Sequence, residues 1–244
     1  MNWLLHRRRI FSEKQLEDLP DLLKTLKVDF VLLGGDLTSS SMPEEFEKAK
    51  SLMQKIAIPM IAIPGNHDHY TERSYHEKRF YQYFPAKEGL EAYPIGPNWW
   101  VVALDTSFPG PALSSRGRFT EDLEEKLETL LLKLPEMDKV ILLNHYPFFE
   151  QDDPSKILER GEALEQLIRR HPKIALYLHG HTHRHSIADL RPSGLPIVLD
   201  SGSCGQKTCG HWNLIDLNET GCTVTAYQWK SKWEEKERQE FVWM

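Results

Sequence analysis

Four short blocks rich in Asp, Asn and His residues could bind metal ions, and each block follows an apolar run of the chain. The blocks read Gly34-Gly35-Asp36, Gly65-Asn66-His67-Asp68, Asn144-His145 and His179-Gly180-His181-Thr182-His183. Carboxylate and amide oxygens together with imidazole nitrogens suit Mn²⁺, Fe²⁺ or Zn²⁺. Gly35, Gly65 and Gly180 should let the backbone turn sharply and approach the ions. The pattern predicts a metal centre that needs no cysteine.

The elements that precede these blocks must bring them together. The apolar runs 30–33, 61–64, 140–143 and 174–178 each end where a block begins. In open α/β sheets, ligands bind at the carboxyl ends of the strands. We therefore expect the four loops to meet in one crevice.

The rest of the sequence predicts alternating helices and strands. Helices are expected after Ser12, with Pro20 kinking or splitting the first, then from Ser41 to about Ile56, from Thr120 to about Leu134, and over residues 161–171. Ser12 with Gln15 and Ser41 with Glu44 fit capping boxes. Strands are expected at 28–33, 60–63, 100–104, 139–143 and 173–178, with a polar stretch before Pro85. The last third carries strand candidates at 197–199, 212–217 and 222–229, with no helix between them.

This order of elements predicts an α/β fold in which two packed sheets are flanked by helices. With 244 residues and no break in composition, the chain is expected to be a single domain over residues 1–244. The C-terminal segment 230–244 is charged, and its run from Lys230 to Glu240 is expected to be a solvated surface segment.

Composition narrows the functional classes. A net charge of −6 disfavours nucleic acid as a partner, because phosphates attract basic surfaces. Cys204, Cys209 and Cys222 are odd in number and lack C-x-x-C spacing, so a disulfide framework or a zinc ribbon is not indicated and a reducing cytoplasm is expected. No run of 18 apolar residues is present, and the N-terminus does not read as a signal peptide.

The order of the blocks resembles the calcineurin-like metallophosphoesterase superfamily, whose signature is D-x-H, G-D, G-N-H followed by D or E, H, and G-H-x-H. The resemblance implies a four-layer α-β-β-α sandwich of two mixed sheets and two divalent metal ions, with Mn²⁺ foremost and Fe²⁺ or Zn²⁺ as alternatives. It implies that Asp36 bridges both ions. Asn66, His145 and His181 would bind the second ion, and His183 would bind the first.

The same resemblance implies a hydrolytic reaction. A hydroxide that bridges the two ions would attack a phosphate ester or anhydride in line. His67 would contact the scissile phosphate and protonate the leaving oxygen, and Asp68 would orient His67 from behind.

The D-x-H block of the family is missing from this sequence. The residues before Ser12 contain no Asp, and the histidine among them, His6, follows no predicted strand and has no carboxylate beside it. Two ligands of the first ion are therefore unaccounted for, and the fold is expected to lack its first family strand. Our hypothesis is that the start is assigned too late and that an upstream native segment supplies both.

Three arginines are candidates for binding the substrate. Arg184 directly follows the last block, and a surface ion pair is its alternative role. Arg116 and Arg118 lie in the loop 108–119, which is placed where it could overhang the crevice. The flanking histidines are expected behind the ligands or on the surface: His69, His179 and His185.

Two substrates compete in this interpretation. The run 178–184 resembles the Leu-His-Gly-His-Thr-His-Arg run of UDP-2,3-diacylglucosamine pyrophosphatases, which act on a nucleotide lipid. Apolar residues around Arg7-Arg8-Arg9 would suit that lipid and a peripheral contact with the inner membrane face, or would instead pack onto the missing strand. The alternative, implied by the compact length, is a 3′,5′-cyclic nucleotide phosphodiesterase.

A third interpretation comes from a different functional class. A retromer subunit has this fold with little or no catalysis, so a binding module remains open for a chain without the D-x-H block. Replacement of His67 by Ala separates the two classes, because only an enzyme should lose turnover.

Overall fold

The computed structural model describes residues 14–109, 115–149, 153–207 and 210–243. Its helices are α1 Lys14–Glu17, α2 Leu19–Thr25, α3 Pro43–Met53, α4 Glu72–His76, α5 Arg79–Tyr83, α6 Glu121–Lys133 and α7 Gly161–Arg170, with a 3₁₀ turn at Arg191–Ser193. The predicted split near Pro20 is confirmed, because Asp18 separates α1 from α2 and Pro20 lies in the first turn of α2. None of the helices in these ranges is long and apolar enough to cross a bilayer.

The strands form one large sheet and several smaller units. They are β1 Val31–Leu33, β2 Met60–Ala62, β3 Leu90–Gly96, β4 Trp99–Leu104, β5 Gly117–Arg118, β6 Lys139–Asn144, β7 Leu158–Glu159, β8 Ile174–His179, β9 His185–Asp189, β10 Ile197–Ser201, β11 His211–Leu217, β12 Gly221–Trp229 and β13 Trp233–Val242. The large sheet has the order β3-β4-β6-β8-β10-β9. Its four central strands are parallel, and both edge strands are antiparallel to their neighbours.

The two faces of the large sheet bury different apolar clusters. On the outer face, Leu131 of α6 and Leu164 of α7 pack in one cluster with Leu142 of β6. On the inner face, Leu176 of β8 packs in a second cluster with Ile61 of β2, together with residues of β12 and β13. Alternate residues of each strand point to opposite faces, so one strand contributes to both clusters.

A second β layer lies against the inner face of the large sheet. It contains the parallel pair β1-β2 and the antiparallel unit β11-β12-β13. The far side of this layer packs on α2, α3 and α5 in a third cluster that includes Leu23, Phe46 and Phe80. The order of the layers is therefore helix, sheet, sheet, helix, and the predicted α-β-β-α sandwich is confirmed. The expected absence of the first family strand concerns residues 1–13, outside the described ranges.

The predicted start of α3 at Ser41 is wrong by one residue. Met42 is the N-cap and Pro43 begins the helix, while the Glu45 carboxylate accepts hydrogen bonds from the backbone N–H groups of Ser40 and Met42. Ser41 instead has a φ of 53° and a buried hydroxyl that bonds to Ser74. The helix ends at Met53 rather than near Ile56. The Ser12 capping box lies outside the described residues.

Sequence patterns also missed short elements. The polar stretch before Pro85 contains α4 and α5, which are one turn each, and Thr71 caps α4 by accepting from the Ser74 N–H at 3.1 Å. Strands β3 and β9 were not predicted because neither shows a clean alternation of apolar and polar residues. Residues 233–242 form the edge strand β13, which was not predicted, and its charged central residues are exposed as expected.

Candidate metal centre

The four sequence blocks lie at the carboxyl ends of four strands, as predicted. Asp36 follows β1, Asn66 follows β2, His145 follows β6 and His181 follows β8. The first two strands belong to one layer and the last two to the other, so the site lies where the two layers meet.

Close contact between two turns brings Asp36 to the second block. Gly35 has a φ of 95°, and a Cβ there would lie 2.6 Å from the backbone nitrogen of Gly65. A Cβ on Gly65 would lie 2.2 Å from Oδ1 of Asp36. Both positions therefore require glycine, as predicted. Gly180 differs, because a Cβ there would make ordinary contact at 3.5 Å with the Gly202 carbonyl and its φ is not positive.

Four potential ligand atoms converge on one point of the crevice. His145 Nε2 lies 3.1 Å from His181 Nδ1, 3.3 Å from Asn66 Oδ1 and 3.6 Å from Asp36 Oδ1. Ligand atoms held roughly 2.0–2.2 Å from an ion lie about 3.0–3.6 Å from their neighbours in tetrahedral or octahedral geometry. The spacing and chemistry of this set thus fit a divalent ion.

The hydrogen bonds of His145 fix which of its nitrogens faces the other donors. A carbonyl oxygen only accepts, so His145 Nδ1 carries the proton that it donates to Gly34 at 2.7 Å. In the neutral ring, which is the form that binds metals, Nε2 presents a lone pair beside the oxygens of Asp36 and Asn66. A cation would satisfy these three acceptors together.

Burial and neighbouring charges tune two of these groups for metal binding. Burial, followed by the adjacent His145, lowers the pKa of His181 to about 2, which keeps its ring neutral. Burial would raise the pKa of Asp36, but the rings of His145 and His67 and the His67 backbone N–H outweigh this and hold that pKa below 3.8. A neutral imidazole and an ionised carboxylate are the forms that bind metals.

These donor atoms are nevertheless not fully preorganised for a metal ion. Among the described residues, no three His, Cys, Asp or Glu side chains are already arranged to hold an ion. Small side-chain movements, with the Asn66 amide as a further donor, must therefore accompany binding. His183 follows in a left-handed conformation with a φ of 55°, and its role as ligand of the first ion stays a prediction.

His67 and Asp68 both contact the loop after β1, and the role of Asp68 in orienting His67 stays a prediction. His67 Nδ1 lies 3.1 Å from the Ser39 carbonyl, which makes Ser39 an orienting group, and the ring stacks on Tyr70 at 5.8 Å. The buried Asp68 carboxylate accepts from the backbone N–H groups of Gly65, Leu37 and Thr38 and from the Thr38 hydroxyl. Asp68 therefore joins the β1 and β2 loops. Burial and the charge of Asp36 raise the pKa of Asp68 to about 7.

The arginine candidates are engaged with neighbours. Arg118 donates to Glu159 at 2.9 Å and lies 3.9 Å from the centre of the Phe108 ring. Arg116 donates to the Pro154 carbonyl at 2.8 Å. Arg184 borders a small pocket of about 80 Å³ whose other residues include Phe149 and Asp200. Contact of these arginines with substrate stays a prediction.

A fifth strand end was missed by the sequence interpretation. Asp105, Thr106 and Ser107 follow β4 and are buried, and Thr106 donates to the side chain of Asn144 at 2.8 Å. Their signal was present, since three polar residues directly follow the apolar run of β4. They contain neither glycine nor histidine, and each of the other blocks has at least one of these.

Comparison with known proteins identifies the family. The model of the calcineurin-like phosphoesterase family matches residues 5–185, which is most of the chain. This chain belongs to the calcineurin-like phosphoesterases. The predicted family is thereby confirmed.

Individual relatives of this calcineurin-like phosphoesterase carry phosphodiesterase names. A probable cyclic nucleotide phosphodiesterase of Vesicomyosocius okutanii is 25% identical over 88% of each chain. A probable glycerophosphodiester phosphodiesterase of Arcobacter nitrofigilis is 29% identical over 65% of this chain and 58% of that protein. A dimetal phosphatase of Danio rerio has a TM-score of 0.71, with 95% of this chain and 89% of that chain covered. Its 14% identity supports the fold alone.

Proposed function

We propose that this calcineurin-like phosphoesterase hydrolyses small phosphodiesters with the help of two divalent ions, and that 3′,5′-cyclic nucleotides are its first candidate substrates. The observation that carries the proposal is the convergence of Asp36, Asn66, His145 and His181 donors within 3.1–3.6 Å of His145 Nε2. Burial of several oxygen and nitrogen acceptors costs free energy, and a bound cation would compensate for that cost.

The residues have separate tasks in this proposal. Asn66, His145 and His181 would hold one ion, His183 would contribute to holding the other, and Asp36 would serve both. When bound, such ions neutralise charge on a phosphoryl group and activate water at neutral pH. The hydrogen bond from His145 to Gly34 keeps the ligand nitrogen pointed into the site.

His67 is the proposed group that contacts phosphate and gives a proton to the leaving oxygen. Nδ1 donates to the Ser39 carbonyl, and Nε2 is the nitrogen proposed to contact the phosphate. In its imidazolium form, His67 can donate that proton.

The choice of substrate depends on how much of each relative the chain covers. The cyclic nucleotide phosphodiesterase named above is matched over 88% of its length, and a second one from a Synechococcus strain is 29% identical over 85% of this chain and 79% of that protein. The glycerophosphodiesterase is covered over 58%, so glycerophosphodiesters are the second candidate. UDP-2,3-diacylglucosamine, which the run 178–184 favoured, becomes the third, because its other support lies in residues outside the described ranges.

The direct test is hydrolysis by the purified chain with Mn²⁺, Fe²⁺ or Zn²⁺ added. The substrates are bis-p-nitrophenyl phosphate as a general diester, 3′,5′-cyclic AMP, glycerophosphoethanolamine and UDP-2,3-diacylglucosamine. We expect metal-dependent turnover of the general diester and a higher kcat/KM for cyclic AMP than for the other two natural compounds.

Other outcomes point elsewhere. Preference for glycerophosphoethanolamine or for the nucleotide lipid would change the proposed substrate, while the proposal that the chain is a phosphodiesterase would stand. Metal binding without turnover, with a metal affinity that His67→Ala leaves unchanged, would favour a binding module of this fold. Cytoplasmic location and peripheral membrane contact stay predictions.

A further inference from the structure

A buried polar chain links α5, the end of β4 and the loop after His67. Asp105 Oδ2 accepts a hydrogen bond from the Tyr81 hydroxyl, and Asp105 Oδ1 accepts from the Ser107 hydroxyl at 2.6 Å. Ser107 Oγ in turn lies 2.9 Å from His69 Nδ1. His69 is 1% exposed, Ser107 6% and Asp105 7%. The mechanism proposed above uses none of these side chains.

The chemistry of the acceptors determines the direction of the hydrogen bonds. The Ser107 hydroxyl has a single proton, and it points to Asp105 Oδ1. Ser107 Oγ must then accept from His69 Nδ1–H. Burial lowers the pKa of His69, which agrees with a neutral ring that is protonated on Nδ1.

This order of residues excludes a nucleophilic serine. In a serine hydrolase the histidine lies between serine and carboxylate and accepts the hydroxyl proton. Here Ser107 lies in the middle and donates its proton directly to Asp105. The arrangement holds His69 in place and does not activate Ser107.

The position of His69 connects this chain to the metal centre. His69 follows Asn66 by three residues and His67 by two, and its ring packs edge-on against Tyr75 at 5.1 Å. The same end of β4 holds the His145 segment, because Thr106 donates to Asn144 and Leu104 pairs with Asn144. The loop that carries Asn66 and the loop that carries His145 are thus both held at the end of β4.

We propose that the chain Tyr81–Asp105–Ser107–His69 is a positioning device, in which the hydrogen bond from His69 Nδ1 to Ser107 sets the placement of Asn66 and His67 for phosphodiester hydrolysis. The proposal rests on the proposed function. His69 acts through its neighbours in the loop and is not itself a catalytic residue. Loss of this hydrogen bond should therefore lower kcat more than it changes KM.

Two substitutions of His69 separate positioning from packing. His69→Asn keeps an N–H donor close to the position of Nδ1, whereas His69→Leu fills more of the space but removes the donor. If His69 only fills space, the Leu variant should be at least as stable and as active as the Asn variant. Positioning predicts that kcat on bis-p-nitrophenyl phosphate falls at least about tenfold more in His69→Leu than in His69→Asn, because small misplacements near reacting groups are costly.

A second pair tests the far end of the chain. Tyr81→Phe removes the hydroxyl that donates to Asp105. Tyr83→Phe is the matched control on the same helix, since the Tyr83 ring stacks on Phe46 and its hydroxyl bonds to no residue in the described ranges. We expect kcat to fall in Tyr81→Phe and to stay within about twofold in Tyr83→Phe.

The outcomes distinguish this proposal from the proposed function. In an active wild-type enzyme, equal kcat in His69→Leu and His69→Asn, or kcat that follows their melting temperatures, would overturn the positioning role. If the wild-type chain hydrolyses none of the diesters, the proposed function fails, and Mn²⁺ affinity from calorimetry becomes the measurement. Weaker Mn²⁺ binding in His69→Leu than in His69→Asn would then support positioning of Asn66. Equal affinities, or no Mn²⁺ binding by the wild-type chain, would overturn it.

Discussion

The carboxylate of Asp36 accepts a hydrogen bond from the backbone N–H of His67 at 2.9 Å. This contact links the loop after β1 to the loop after β2, and it gives one oxygen of Asp36 a structural partner beside the ion position. Asp36 therefore has two tasks, holding the His67 segment and supplying negative charge. Substitutions at the two positions should separate these tasks.

Replacing His67 by Ala should abolish most turnover and leave metal binding intact. The backbone N–H that bonds to Asp36 remains, while the ring that donates the proton is lost. We expect kcat on a diester to fall by at least about 10²-fold, the usual contribution of a general acid. Metal content measured by elemental analysis should match that of the wild-type chain. A parallel loss of metal would show that His67 helps to hold the ion.

Replacing Asp36 by Asn should lower metal content and activity together. The amide oxygen can still accept the His67 N–H, so the loop contact survives while the negative charge is removed. The melting temperature without metal should change little. Full metal content in this variant would contradict the assignment of Asp36 as a ligand.

Gly35→Ala should destabilise the chain, and Gly34→Ala serves as its neighbouring control. At Gly35 a φ of 95° and a Cβ contact of 2.6 Å with Gly65 both oppose a side chain, whereas nothing lies within 4 Å of a Cβ on Gly34. We expect a loss of at least about 2 kcal/mol in the free energy of unfolding for Gly35→Ala and under about 0.5 kcal/mol for Gly34→Ala. Urea unfolding measures both. Similar values for the pair would mean that the two loops can separate without cost.

Thr38→Val should weaken the junction of the first two loops. The Thr38 hydroxyl donates to the buried Asp68 carboxylate at 2.9 Å, and Val keeps the shape while removing the donor. A buried hydrogen bond contributes about 1 kcal/mol, or roughly 1.5–3 kcal/mol when its acceptor is charged, so a loss of about 1–3 kcal/mol in unfolding free energy is expected, with the larger value at a pH above the Asp68 pKa of about 7. Thr25→Val is the control, because the Thr25 hydroxyl bond to Asp21 is exposed. Equal losses in both variants would contradict a special role for the buried bond.

Glu128 should stabilise the contact between α6 and α7 at neutral pH. A hydrogen bond from Arg170, offset by partial burial and aided by His171, lowers the pKa of Glu128 below its ordinary 4.5. A lowered folded-state pKa gives stability that is present above the unfolded value and is lost as the pH falls through the folded value. Glu128→Gln should therefore be less stable than wild type at neutral pH, by no more than about 1 kcal/mol for such a surface pair.

That difference should shrink in urea unfolding measured below pH 4.5. Glu125→Gln on the same helix is the control, since Glu125 forms no ion pair with any described residue. A difference that persists unchanged in acid would mean that the Glu128 charge is not its source.

The amino-acid sequence by itself determined the layer architecture and the ligand blocks. Asp36, Asn66, His145 and His181 follow apolar strands directly, and the carboxyl ends of such strands meet at the same edge of the fold. Local order along the chain was therefore enough to predict that these four residues converge. The glycine requirement at Gly35 and Gly65 followed for the same reason, because the turns between strand and ligand are short.

The tertiary structure alone decided which partners hold those residues. Ser39 contacts the His67 ring, and Ser107 bonds to His69 across 38 positions of sequence. Contacts of this kind depend on the distance between loops from different strands, which no local pattern of residues encodes. The sequence could therefore name the proposed ligands of the ion, while the hydrogen bonds that position them became visible only once the two β layers were packed together.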